Sequence, residues 1–237
     1  MAGLSVNART NISLTKDIEL KKASFQTGLI QWGSDNFRRF PWRENRVPYS
    51  VLISEILLRR TTSSAVKRVY EEFLLKYPSV HALADANSGS LEKLLAKIGF
   101  QKQRTKMLID VGKFIVGRYA GKIPNSKEEL LCIPNVGDYT ANAILTLAYG
   151  DPAAMVDSNV ARIMKRVFAG HLKKKASYKE IQTVANMLSP EANNQEYNYA
   201  LLDLGAAVCL YTIPKCKICP INGLCDYYIL GSLRIRI

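Results

Sequence analysis

The sequence predicts an all-α protein. Three observations carry that prediction: apolar residues recur three and four positions apart in many segments, strand-like alternation is scarce, and glycine or proline stops fall at helix-length intervals. Residues 49–60 read as a helix with Val51, Leu52, Ile56 and Leu58 apolar, and 62–76 as the next, closed by Tyr77-Pro78. A short helix over 91–98 ends at Gly99, and another spans 106–119. Ser126 and Glu129 form a capping-box pattern ahead of Leu130 and Leu131. Residues 138–149 read as a helix stopped by Gly150, 158–168 as one stopped by Gly170, and 177–188 and 195–208 complete the set. Residues 1–24 fit a tail and a docked helix equally well.

The 237 residues suffice for one large or two small domains with real cores. No apolar run is long enough to span a bilayer, and the first 18 residues lack a secretory pattern, so a cytoplasmic protein is the expectation. The charge is +13, from 33 Lys plus Arg against 20 Asp plus Glu, which favours a polyanionic partner, nucleic acid first. A membrane surface fits poorly, because the basic residues form no single amphipathic stripe. The only histidines are His81 and His171, so a His-centred triad or multi-His metal site has little support.

Four of the five cysteines cluster near the end of the chain: Cys209, Cys216, Cys219 and Cys225, spaced C-x6-C-x2-C-x5-C. One short loop can bring four thiolates around a metal centre at little loop-closure cost. The uneven, compact spacing suits a four-thiolate iron–sulfur cluster; zinc, which usually takes two knuckles around a longer insertion, and disulfides are the alternatives. The isolated Cys132 reads as a small core residue.

Ile133-Pro134-Asn135-Val136-Gly137 lies between two helices. Asn135 and Gly137 can supply the positive φ of a tight hairpin, and the amides opening the second helix can meet an anion; an ordinary αα-turn is the alternative. Asp157 precedes a helix and is a natural N-cap, and a carboxylate there can also stabilise a cation or direct water. Glu55 shares a helical face with Val51, Leu52 and Leu58, where burial would suit it to proton donation; a solvated i, i+4 pair with Arg59 is the alternative.

These motifs resemble the helix–hairpin–helix DNA glycosylases that carry an iron–sulfur loop, relatives of endonuclease III, over roughly residues 30–228. Leu131-Cys132-Ile133-Pro134-Asn135-Val136-Gly137 is similar to the family hairpin, with Asn135 where the family has its first glycine. The resemblance implies two helical domains with the substrate in the cleft between them. One is a six-helix barrel over 49–155; the other is built from 1–48 and 156–237 and holds a [4Fe-4S] cluster on the loop 209–225. It implies Cys209, Cys216, Cys219 and Cys225 as cluster ligands and Asp157 as the essential carboxylate. Bifunctional members carry a lysine where this chain has Tyr139, so a monofunctional glycosylase similar to the mismatch-specific thymine enzymes is implied. Glu55 matches a catalytic glutamate of the adenine- and thymine-mismatch enzymes. Arg60, next to Arg59, stands where the family wedges a side chain into the base stack, with phosphate contact as the alternative. Gln101, Lys102 and Arg104 fall on the second strand-contacting loop, and Asn135 and Gly137 on the phosphate-binding hairpin.

The implied function is excision of thymine or uracil opposite guanine in double-stranded DNA, by a monomer and without a membrane. Adenine excision opposite guanine or 8-oxoguanine is the alternative. The adenine enzymes carry glutamines where this chain has Arg59-Arg60 and normally a further C-terminal domain, which weighs against it. A non-catalytic DNA-binding scaffold is a third reading, opposed by the presence of Asp157 and Glu55.

Overall fold

The computed structural model describes residues 6–172 and 175–234, and the described residues form helices and loops without a strand. The chain divides into two compact units: Met1–Arg38 with Pro152–Ile237, and Arg39–Asp151. The divisions therefore fall at 38/39 and 151/152, not at the expected 48/49 and 155/156. The residues from 39 to 48 join the second unit through aromatic packing: the Trp42 ring stacks on Phe40 at 4.7 Å and meets Tyr70 edge-on at 5.5 Å.

The unit from 39 to 151 begins with the short helix α2 (Pro41–Glu44) and α3 (Pro48–Leu57). Every side chain from Ser50 to Leu57 is buried, so α3 runs through the middle of its unit, as a helix apolar on nearly all sides must. It ends three positions before the expected residue 60, because the chain turns into the left-handed region at Arg60, φ 53°. Helices α4 (Ser63–Lys76), α5 (Val80–Ala84) and α6 (Ser88–Leu95) follow, each opened by a side-chain cap from Thr62, Ser79 or Asn87. The pattern of 80–84 is too short to show a period, so α5 was invisible in sequence. It lies tight against α7 (Gln101–Tyr119): a Cβ on Gly112 would stand 2.9 Å from the Ala84 nitrogen. Then come α8 (Lys127–Cys132), capped by Ser126, and α9 (Asp138–Ile144), which runs on into a π-helical turn over Leu145–Tyr149. Gly150 closes that turn at φ 80°. Cys132 is exposed and not the core residue expected of it.

The other unit is built on α1 (Val6–Asn36), α10 (Ser158–Val167), α11 (Tyr178–Leu188), α12 (Asn194–Ala207) and α13 (Asp226–Arg234). Residues 6–24 are thus helical and continuous with α1, while residues 1–5 lie outside the described residues. Ile18, Phe25 and Leu29 of α1 are fully buried in one core with Val160, Met164 and Leu204. Each such side chain contributes roughly 1.5–3 kcal/mol of burial. Lys21 ties α1 to α13 by donating to Asp226 Oδ1 at 2.7 Å, and it pairs with Asp17 at 2.9 Å. A reciprocal capping box of Ser177 and Glu180 opens α11.

Candidate functional site

In the unit from 39 to 151, the candidate site is made of three loops. The hairpin between α8 and α9 closes with Val136 N–H donating to Ile133 O at 3.0 Å. Pro134 leads that turn, and Asn135 takes the left-handed position, φ 63°. Gly137 differs from expectation: its φ is −105°, and it is the N-cap of α9. A Cβ there would meet nothing within 4 Å, so the absent side chain leaves an open face in front of the first amides of α9. Tyr139, in the first turn of α9, is half-buried, and Asn135 is exposed.

The second loop follows α3. Glu55 is 8% exposed. Arg59 turns inward: its Nη2 donates to Asn135 O at 2.6 Å and to Thr140 Oγ1 at 3.0 Å. Burial lowers its pKa and the charge of Glu55 opposes that effect. Arg60 is exposed, with its guanidinium 4.8 Å from the centroid of the Phe100 ring. The third loop contains Phe100 itself, 47% exposed at φ 53°, followed by the half-buried Gln101 and the exposed Lys102. Arg104, expected beside them as a DNA contact, is 4% exposed and points into its own unit.

In the other unit, Asp157 caps α10. Its Oδ1 accepts from Asn159 N at 2.8 Å and Val160 N at 2.7 Å, and its Oδ2 accepts from Asn159 Nδ2 at 2.9 Å. Three donors from one side fix the plane of the carboxylate. Asn159 is held in turn by Arg162, whose Nη2 donates to Asn159 Oδ1 at 2.9 Å and to Gly205 O at 2.8 Å, while its Nε donates to Cys209 O at 2.8 Å. The irregular chain leading to Asp157 is pinned by buried amides: Met155 N donates to Asn198 Oδ1 at 2.8 Å, and Gln182 Nε2 to Ala154 O at 3.0 Å. Asn159 and Arg162 were missed in the sequence. Their signal was the i, i+2 and i, i+5 spacing from Asp157 along α10, which acquires meaning only once α12 is beside it.

Cys209, Cys216, Cys219 and Cys225 all line one pocket, walled by apolar side chains including Ile163, Leu204 and Ile221. Two single turns, Cys216–Ile218 and Asn222–Leu224, fold the loop, and Arg166 Nη1 lies 3.2 Å from Cys209 Sγ. Burial raises the thiols of Cys216 and Cys225 and pushes Cys219 up to about 11. Among the described residues no three Cys, His, Asp or Glu side chains converge as ligands of a single ion. Four thiols lining one apolar-walled pocket are the donor set that a cubane cluster takes.

Two helical units, a helix–hairpin–helix turn and a capped aspartate opening the helix after it define a nucleic-acid repair fold. The chain belongs to the HhH-GPD superfamily of base excision DNA repair proteins, whose profile matches residues 53–190. Among its relatives, a thymine/uracil-DNA glycosylase of Methanothermobacter thermautotrophicus is 36% identical over 88% of this chain and 94% of its own. A thymine-DNA glycosylase of Aeropyrum pernix is 40% identical over 79% of this chain and 86% of its own. The structure of a thermostable thymine-DNA glycosylase superposes with a TM-score of 0.84 at 33% identity, covering 90% of this chain and 98% of that one.

Proposed function

We propose that the protein is a monofunctional DNA glycosylase that hydrolyses the N-glycosidic bond of thymine or uracil mispaired with guanine. The observation that carries this reading is Asp157: in a chain of this family, a carboxylate fixed by three donors is built to face a developing positive charge. As the base departs with the bonding electrons, the sugar becomes oxocarbenium-like. Asp157 stabilises that cation and directs water to it. Tyr139 offers a phenol and no amine, so no imine with the sugar forms and the strand stays uncut. Glu55, buried in α3, bonds the base being released or donates a proton to it.

Double-stranded DNA is held by the hairpin at Asn135 and Gly137 and by Arg60, Gln101 and Lys102. The +13 charge supports this, since each phosphate contact displaces counterions. Cys209, Cys216, Cys219 and Cys225 hold a [4Fe-4S] cluster; bound there, it supplies a structural cross-link between the end of α12 and the start of α13. The similarity to thymine and uracil enzymes favours those bases over adenine. The deciding experiment incubates labelled duplexes bearing T·G, U·G or A·8-oxoguanine and then treats them with alkali. Cleavage at T and U is expected. Cleavage at A alone would replace this reading with the adenine one, and no cleavage would leave a DNA-binding scaffold.

A further inference from the structure

Arg104 is a cation with no solvent to face. The residue is 4% exposed, and its guanidinium is spread over four backbone carbonyls: Nε donates to Gly99 O at 3.0 Å, Nη1 to Ile56 O at 2.9 Å and Leu57 O at 3.0 Å, and Nη2 to Arg59 O. The first belongs to the loop before α7, the others to the end of α3 and the turn after it. Only a planar fork with donors on three nitrogens can join both at once; an ammonium donates from a single point. The carbonyl end of α3 also favours a cation there.

Two further observations meet at the same place. Arg60 and Phe100, the exposed residues of the two loops, are both non-glycine residues in the left-handed region, at φ 53° each. Such conformations persist where surrounding structure enforces them. Their side chains also stack on one another, 4.8 Å from cation to ring centroid. Arg59, whose carbonyl Arg104 holds, reaches on to Asn135 of the hairpin.

We propose that Arg104 is a positioning residue: it locks the turn after α3 to the loop before α7, so that Arg60 and Phe100 stand as one preformed stacked pair that displaces a paired base from duplex DNA. This rests on the glycosylase reading. A guanidinium on an aromatic ring presents a flat surface of the kind that stacks on bases. Setting it in place before binding removes the need to order two loops during base eviction.

Two independent measurements test it. In the free protein, amide hydrogen exchange of residues 58–61 and 98–101 should accelerate in both segments in Arg104→Lys; unchanged protection in either segment overturns the brace. In single turnovers, Arg104→Lys should slow release of uracil from a U·G duplex by about ten- to a hundredfold, the scale of a small misplacement of a working group. Release from single-stranded DNA, where no base must be evicted, should be unchanged. Equal loss on both substrates, or no loss on either, contradicts the proposal. Arg60→Ala, a change to an exposed side chain, supplies a second arm should Arg104→Lys fold poorly. It should slow release from the U·G duplex by more than release from single-stranded DNA, and in a foldable double variant the two effects on the duplex should not add; an equal loss on both substrates contradicts the proposal. If the wild type released no base from any DNA, the glycosylase reading would fall, while the exchange result would still judge the brace.

Discussion

Asp157 caps α10, and the proposed function gives the same carboxylate a second duty; the two can be separated. Asparagine keeps the shape and caps a helix about as well as aspartate, but it removes the negative charge. Asp157→Asn should therefore bind DNA as the wild type does and melt at nearly the same temperature, while base release falls by about two orders of magnitude or more. A variant that lost affinity in parallel with rate would show that the carboxylate is only a cap. Tyr139 sets the other chemical boundary. Borohydride should trap no protein–DNA adduct from the wild type, because no amine stands at that position; Tyr139→Lys introduces one and should yield a trappable fraction. A strong band from the wild type would mean that some other amine attacks the sugar. At this scale the sequence showed which residue types were available but not where their side chains turn. Arg59, Arg60 and Arg104 look alike in a basic stretch, yet one faces out and two face in. That difference is made by the carbonyls of α3 and the hairpin, which lie far along the chain: Ile56 O is 48 positions from Arg104, and Asn135 O is 76 positions from Arg59.

Among the elements, periodicity found α4, α10, α11 and α12 almost to the residue, because each has an apolar face and a polar cap or a stop signal. It missed α1, whose fully buried Ile18, Phe25 and Leu29 are spread thinly along 31 otherwise mostly polar residues. The approach of α10 to α12 gives a sharp test. A Cβ on Gly205 would stand 2.6 Å from Asn159 Cβ, closer than side-chain atoms tolerate. Gly205→Ala should push the helices apart and cost about 1–3 kcal/mol of stability, the range for overpacked interiors. Because Asn159 holds Asp157, base release should slow more than DNA binding weakens. Thermal melts together with rate and affinity measurements would show this, and an unchanged rate would mean that Asn159 does not set the carboxylate. Gly137 offers the opposite case. With open space before it and a negative φ, Gly137→Val should fold normally; its bulk should weaken DNA binding for every sequence alike. A changed base preference with intact affinity would remove the hairpin from the phosphate-binding role.

For the molecule as a whole, charge and the cysteine loop were the features most legible in the sequence, since net charge needs no fold and four thiols on one loop can reach each other in almost any fold. The charge of +13 predicts that DNA affinity falls steeply and linearly with salt on logarithmic axes, with a slope of about −0.9 for each phosphate neutralised. The cysteine loop makes the stronger claim. Burial favours the neutral thiols of Cys216, Cys219 and Cys225, so ionising several of them side by side in an apolar pocket needs a compensating positive centre. An iron–sulfur cluster would supply that centre and would tie the residues after α12 to those before α13. Protein prepared without oxygen should be yellow-brown and hold about four irons per chain. Cys225→Ala should lose the iron and also loosen its unit, because Cys225 is itself a buried member of that core. Cys132→Ala should keep both iron and stability, since Cys132 is exposed and its thiol bonds only locally, to Glu128 O at 3.3 Å. Zinc in place of iron, or iron that survives Cys225→Ala and disappears with Cys132→Ala, would show that the four clustered cysteines are not the ligands of such a group.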